Sequence, residues 1–285
     1  MSDYYQRLDA PHFDYDMHPV DGIDTHTFRG PIPDLSQPYF ACIGGAQTMG
    51  RFVDETYPNT LSSALGLPCL NLGLGGAGPR FALQPSVLAL LQRAKLVIVQ
   101  VFSGRSASNS RFDNSREGRN SGRCVHTGEN KIYEKFLAEI MQREDDALLR
   151  RIVQETRDDF AFSMNQLAES LPGPKILLWL SKRKPAYTPD YSHQFGVSNH
   201  YPQLIDAETL AEFRRHYDGY VECAASPGLP QALWQDEHVA GTVRDDDGQI
   251  WNTYYPSPEM HTAAAKLLLP TCKHLLDQQG STEIA

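Results

Sequence analysis

Residues 39–78 read YFACIGGAQTMGRFVDETYPNTLSSALGLPCLNLGLGGAG, and this stretch decides the fold. Tyr39-Phe40-Ala41-Cys42-Ile43 is a continuous apolar run stopped by Gly44-Gly45, the pattern of a strand covered on both faces. Helix-like spacing follows at Tyr57–Leu65, and Cys69-Leu70-Asn71-Leu72, stopped by Gly73, reads as a second strand. The same alternation continues outward. A helix over about Leu83–Arg93 leads to the strand Leu96–Val101, and helical periodicity runs from about Lys131 to Leu171 with one break near Glu144. The strand Ile176–Leu180, a helix near Glu208–Tyr217 and the short strand Gly219–Glu222 come next. The last helix is expected from Ser257-Pro258 to about Gln278: Ser257 suits the N-cap, Pro258 the first turn and Glu259 the helix dipole. Apolar strands alternating with helices predict an α/β three-layer sandwich with a central, mainly parallel sheet. Residues 1–38 hold many Asp, His, Tyr and Pro but no periodic apolar run. They are expected to form an irregular segment that wraps a single domain of residues 39–285.

Composition removes several functional classes. Of 285 residues, 41% are hydrophobic and 10% aromatic, enough to bury a core. Lys plus Arg number 26 against 35 Asp plus Glu, a formal net charge of −9, so nucleic acid is not an expected partner. The five cysteines, Cys42, Cys69, Cys124, Cys223 and Cys272, are widely spaced with no CxxC pair, and read as reduced thiols. The start, MSDYYQRLDAPHFDYD, lacks the basic and apolar regions of a secretory signal, and no apolar run approaches the ~20 residues that span a bilayer. The expected setting is therefore the cytoplasm, away from membranes. His193 and His200 in the pattern H-x6-H do not specify a metal, and Asp245-Asp246-Asp247-Gly248 lacks the later bidentate acid of a calcium loop. No metal and no cofactor are predicted.

In open α/β sheets ligands bind outside the carboxyl ends of the strands. Four segments therefore matter: Gly44–Phe52, Gly73–Phe81, Phe102–Phe112 and Ser181–Tyr187. Their order, IGGAQTMG, then NLGLGGAG, LVIVQV and YYPSPEMHTAAAKLLLP, resembles the SGNH/GDSL hydrolase superfamily, over roughly residues 39–101 and 250–276. The resemblance implies a flavodoxin-like, SGNH-hydrolase-like fold. It also maps the family's GDSxTxG onto Gly44–Gly50, so Ala46 stands at the nucleophile position. Gly76 (or Gly73) falls on the second-block glycine, where one oxyanion-hole donor is retained. GxND falls on Phe102–Arg105 and loses its asparagine, and DxxH falls on Asn252–Tyr255 and loses both acid and base. His261 sits where many members carry a second histidine. The longer pattern FRGPIPDL, GGAQTMGRFV, NLGLGGAGPRF and VQVFSGRSASNSRF is similar to bacterial proteins of unknown function.

Without nucleophile and base, ester hydrolysis by the serine route ranks third among the functions, and it requires the motif alignment to shift by a residue or more. Cations follow each of the first four strands: Arg51, Arg80, Arg105 and Lys182-Arg183-Lys184. Residues 103–131 carry six Lys/Arg against three acids, a locally basic rim. Arginine forks with glycine-loop N–H groups suit phosphate, sulfate or carboxylate. The expected binding set is Gly45, Gln47, Thr48, Arg51, Gly76, Arg105, Ser106, Asn109 and Arg183, with His261 as the candidate catalytic group. Each has a plainer reading: a solvated rim for the arginines, helix capping for Gln47 and Thr48, an ordinary polar loop for Ser106 and Asn109. Two functions follow: a group-transfer enzyme (acyl, sulfuryl or similar) acting on a saccharide or small anionic metabolite, or a non-catalytic pseudo-hydrolase that binds carbohydrate or anion.

Overall fold

The computed structural model describes residues 4–282 apart from 144–145, 199 and 235–240. Five parallel strands form its central sheet: Phe40–Gly44, Cys69–Gly73, Val97–Gln100, Lys175–Ser181 and Gly219–Ala224. Numbered first to fifth along the chain, they lie side by side in the order fifth, fourth, third, first, second. That is the flavodoxin-like order, and it reverses between the first and third strands. The expected α/β three-layer sandwich with a central parallel sheet is what the chain forms.

The two-residue period of a strand accounts for the layers. Ala41, Ile43, Val97, Val99, Leu177 and Trp179 face one core, shared with Phe81, Val87, Phe160, Met164 and Phe213. Phe40, Cys42, Ile98 and Leu178 face the other, shared with Leu61, Met260, Leu268 and Cys272. Helices Pro85–Arg93, Asp146–Ser170 and Ala207–Arg214 thus cover one face, and Tyr57–Leu65 and Pro258–Thr282 the opposite one. Ser257 Oγ accepts from the Met260 N–H at 3.2 Å, the cap that the sequence predicts. The break near Glu144 falls outside the described residues, between helices Tyr133–Arg143 and Asp146–Ser170.

Two segments for which the sequence gives no regular element are ordered. In the lead-in, Tyr4–Asp9 is helical and Met17–Val20 pairs antiparallel with Ile23–Arg29. Val20, Ile23 and Phe28 enter the core, so the apolar signal was present but too sparse to show a period. In the loop after the third strand, Phe112–Asp113, Ser121–Cys124 and Asn130–Ile132 form a three-stranded antiparallel meander. Among the described residues no helix is long and apolar enough to cross a membrane.

Candidate functional site

A cleft of about 410 Å³ opens where the strand order reverses. Gly45, Ala46 and Gln47 line it from the first strand's end, Gly76 and Ala77 from the second, Ser103 and Arg105 from the third. Asn120 and Glu134 come from the meander and the helix behind it, and Tyr4, Tyr5, Tyr201, Tyr254 and Tyr255 give it aromatic walls.

Local hydrogen bonds fix the loops. Gln100 Oε1 accepts from the Gly45 N–H at 3.1 Å and from Thr48 Oγ1 at 2.8 Å. Asn71 Nδ2 donates to the Thr48 carbonyl at 3.1 Å, and the Leu74 N–H to the Gly44 carbonyl at 3.0 Å. The first two loops touch so closely that a Cβ on Gly73 would lie 2.2 Å from the Met49 nitrogen, which excludes any larger residue. Gly76 has φ +77°, a left-handed conformation that suits glycine, and a Cβ there would meet Asn120 Oδ1. The meander docks through the same turn: the Asn120 N–H donates to the Gly76 carbonyl at 2.8 Å, and Arg119 Nη2 to the Gly75 carbonyl at 2.8 Å.

Of the predicted binding residues, Gly45, Gln47, Gly76 and Arg105 line this cleft. The others are used by the fold. Thr48 is fully buried, bonded to Gln100 and to the Tyr57 hydroxyl at 3.0 Å. Ser106 Oγ donates to the Ser103 carbonyl at 2.7 Å, and Asn109 Nδ2 to Thr156 Oγ1 at 3.0 Å. Arg51 is 1% exposed and paired through Nε and Nη2 with both carboxylate oxygens of Asp9, at 2.8 and 2.9 Å. Its guanidinium lies over the rings of Tyr5, Phe52 and Tyr255. Arg183 donates to the carbonyls of Lys184, His200, Pro202 and Ile205, closing the loop after the fourth strand. Hence Arg51, Arg105 and Arg183 do not converge on one pocket. Tyr201 and Tyr254 stand between the cleft and a smaller cavity that Ser181 and Lys182 line.

His261 is fully buried and absent from the residues lining the cleft. Its Nδ1 accepts from the Tyr57 N–H at 3.1 Å, which leaves the ring proton on Nε2, where it finds no acceptor among the described residues. Burial, with Arg29 nearby, pushes its pKa down to about 3, so it stays neutral. It is placed as a core histidine, not as an acid or base acting in the cleft.

Two cations of the basic rim, Arg105 and Lys131, are paired with acids. Arg105 Nη1 is ion-paired with Glu134 Oε1, whose other carboxylate oxygen is buried with no donor among the described residues. Lys131 is held by Glu139 at 2.7 Å and Glu129 at 3.0 Å. Ser103 is the one serine among the described lining residues. Its oxygen accepts from the Arg105 N–H and Nε–H at 3.2 and 3.0 Å while it donates to Gln203 Oε1 at 2.9 Å. Among the described residues no histidine lines the cleft to activate it. Tyr255, at the position where the resemblance puts the base, shares its hydroxyl with Arg51 Nη1 at 3.1 Å and Tyr5 at 3.3 Å, and burial raises both phenols. Asn252 holds that turn by accepting from the Tyr254 and Tyr255 N–H groups at 3.1 and 2.8 Å.

The backbone N–H groups of Ala46 and Gly76 take no acceptor among the described residues. Two amide donors and the Gln47 side chain are thus available beside the tyrosines. Tyr5, Asn120, Glu134 and Tyr254 were not foreseen. YYQRLD at residues 4–9 offered only an aromatic pair before an acid as a signal, and Glu134 sat unremarked at the start of a helix.

Several solved structures are similar in fold. Phospholipase A1 from Streptomyces albidoflavus NA297 is 11% identical, with 84% of this chain and 99% of that chain covered and a TM-score of 0.46. The extracellular lipase from Streptomyces rimosus is 10% identical over 84% and 100%, at 0.44. A carbohydrate esterase family 2 enzyme with a carbohydrate-binding domain, from Corynascus thermopiles (Myceliophthora fergusii), is 13% identical over 89% and 70%, at 0.39. A likeness this loose carries no residue's role across. No curated protein matches the chain in sequence. The profile of a family described as a domain of unknown function, DUF6473, matches residues 5–121 and 129–276, and the chain belongs to that family.

Proposed function

We propose that the cleft binds an oxygen-rich small molecule of the saccharide class. We propose further that the chain moves a group, acyl, sulfuryl or similar, directly between two bound reactants. The observation that carries this reading is the pair of unclaimed N–H groups, on Ala46 and Gly76, beside walls of tyrosine. Amide donors that need not give up an existing bond favour oxygens that gain negative charge during transfer. Aromatic faces cover the apolar CH surface of a sugar ring, and phenols, Gln47 and Asn120 supply polar contacts at its edge. Ala46 has no nucleophile to offer and Ser103 has no base among the described residues, so the reading is one without a covalent enzyme intermediate.

The second reading is a binding protein without catalysis. It draws on the pairing of Arg105 with Glu134, which leaves the cleft with little net charge. Native mass spectrometry of the purified protein distinguishes the outcomes. A retained non-covalent ligand built of sugar units is expected, and exposure to an activated acetyl ester is expected to leave the protein mass unchanged. A stable acetyl adduct on a cleft residue, with steady ester turnover, would overturn the proposal. Retained saccharide with no transfer from acyl or sulfuryl donors would favour the second reading.

A further inference from the structure

The Tyr254 hydroxyl, on the cleft wall, is left with a proton to give. Arg105 donates from its backbone N–H and its Nε to Ser103 Oγ, so the Ser103 proton must point elsewhere, toward Gln203 Oε1 at 2.9 Å. That contact orients the Gln203 amide, whose Nε2 donates to the Tyr254 hydroxyl oxygen at 2.8 Å. Arg105 Nη2 reaches the same oxygen at 3.4 Å. The Tyr254 oxygen therefore accepts from two nitrogens that cannot accept in return, and its own proton has no acceptor among the described residues. The ring is fixed edge-on against Tyr255, with centroids 4.9 Å apart, and Asn252 holds the backbone from below. Tyr201 offers a contrast in the same cleft: its hydroxyl donates to the Val101 carbonyl at 2.8 Å and has no proton to spare.

We propose that Tyr254 is a ligand-binding hydroxyl, held by the chain Arg105–Ser103–Gln203 so that it donates its phenol proton to an oxygen of the bound molecule. This rests on the saccharide reading of the cleft. The direction of the donors has a chemical consequence. Tyr254 selects an acceptor oxygen, whether hydroxyl, ether or carbonyl, over a group that can only donate.

Two readouts test it. In protein carrying tyrosine labelled with ¹³C at Cζ, in mixed H₂O and D₂O, a freely exchanging hydroxyl gives one averaged line, whereas a proton held internally gives two. Tyr254 is expected to average, with Tyr201 as the held reference, and to slow when methyl β-D-glucopyranoside is added. Tyr254→Phe is expected to weaken that glycoside's binding by about fivefold to tenfold, the worth of one ordinary hydrogen bond, at little change in melting temperature. Two lines for Tyr254 in the free protein would overturn the inference, as would unchanged affinity in Tyr254→Phe. If the glycoside fails to bind the parent protein, the saccharide reading falls, and the exchange readout in the free protein decides the state of Tyr254 by itself.

Discussion

Arg51 and Arg105 follow the first and third strands, on the two sides of the point where the strand order reverses, and in sequence they look alike. In the structure their fates differ. Arg51 has side-chain exposure of 0%, as has its partner Asp9, and it serves as a post that pins the lead-in helix to the first loop. Arg105 and Glu134 keep 16% and 35%, and they border the cleft. What separates them is the partner: an acid 42 residues earlier in one case and 29 residues later in the other. A strand-end cation is therefore a ligand group only if distant parts of the chain leave it exposed.

The largest expected effect breaks the buried pair. Asp9→Asn leaves the Arg51 charge in the core with a neutral partner, and should cost ~3–5 kcal/mol. Glu134→Gln, at the more exposed pair, should cost about 1 kcal/mol or less. Urea denaturation of both variants beside the parent measures the gap. Equal losses would mean that the two arginines do not differ in role.

The next effect concerns a second buried polar group, His261. Its pKa is about 3 in the fold against the ordinary 6.5 of a histidine. Below pH 6.5 the unfolded chain takes up a proton that the folded chain refuses, so stability falls as pH drops from 6.5 toward 3. The slope from this group approaches ~1.4 kcal/mol per pH unit. In His261→Phe that part of the acid sensitivity should disappear, read from urea midpoints at pH 6.5 and 4.5. An identical pH dependence in the variant would place the sensitivity elsewhere.

The smallest effect sharpens the contrast at Arg105. Because Glu134 already holds its fork, sulfate and chloride at matched ionic strength should raise the melting temperature alike, within about 1 °C. A clear preference for sulfate that vanishes in Arg105→Ala would restore the anion site that the sequence suggests.

The sheet was legible because the core strands are predominantly apolar and the covering helices carry their period, from Tyr39 to Leu180 and again from Ser257. The carboxyl-edge loops followed from topology alone, which is why Gly45, Gln47, Gly76 and Arg105 fall on the cleft. Thr48, Arg51, Arg183 and His261 lie off it, because a polar side chain at a strand end has the same sequence signature whether it faces solvent or the core. Asp9 claims Arg51 across 42 residues, Gln100 claims Thr48 across 52 and the Tyr57 N–H claims His261 across 204, and no local pattern announces these pairings. The lead-in was missed for a related reason: its few apolar residues are spread over a hairpin too short for a visible alternation.

The central claim is that the ligand site is the cleft over Ala46 and Gly76, not the open groove between helix Ala207–Arg214 and the edge strand Gly219–Ala224. A titration of ¹⁵N-labelled protein with methyl β-D-glucopyranoside, followed through the backbone amides, tests it most directly. The amides of Ala46 and Gly76 should show the largest saturable shifts, with Tyr220 and Glu222 unmoved. Shifts centred on the edge strand, or none that saturate anywhere, would contradict it.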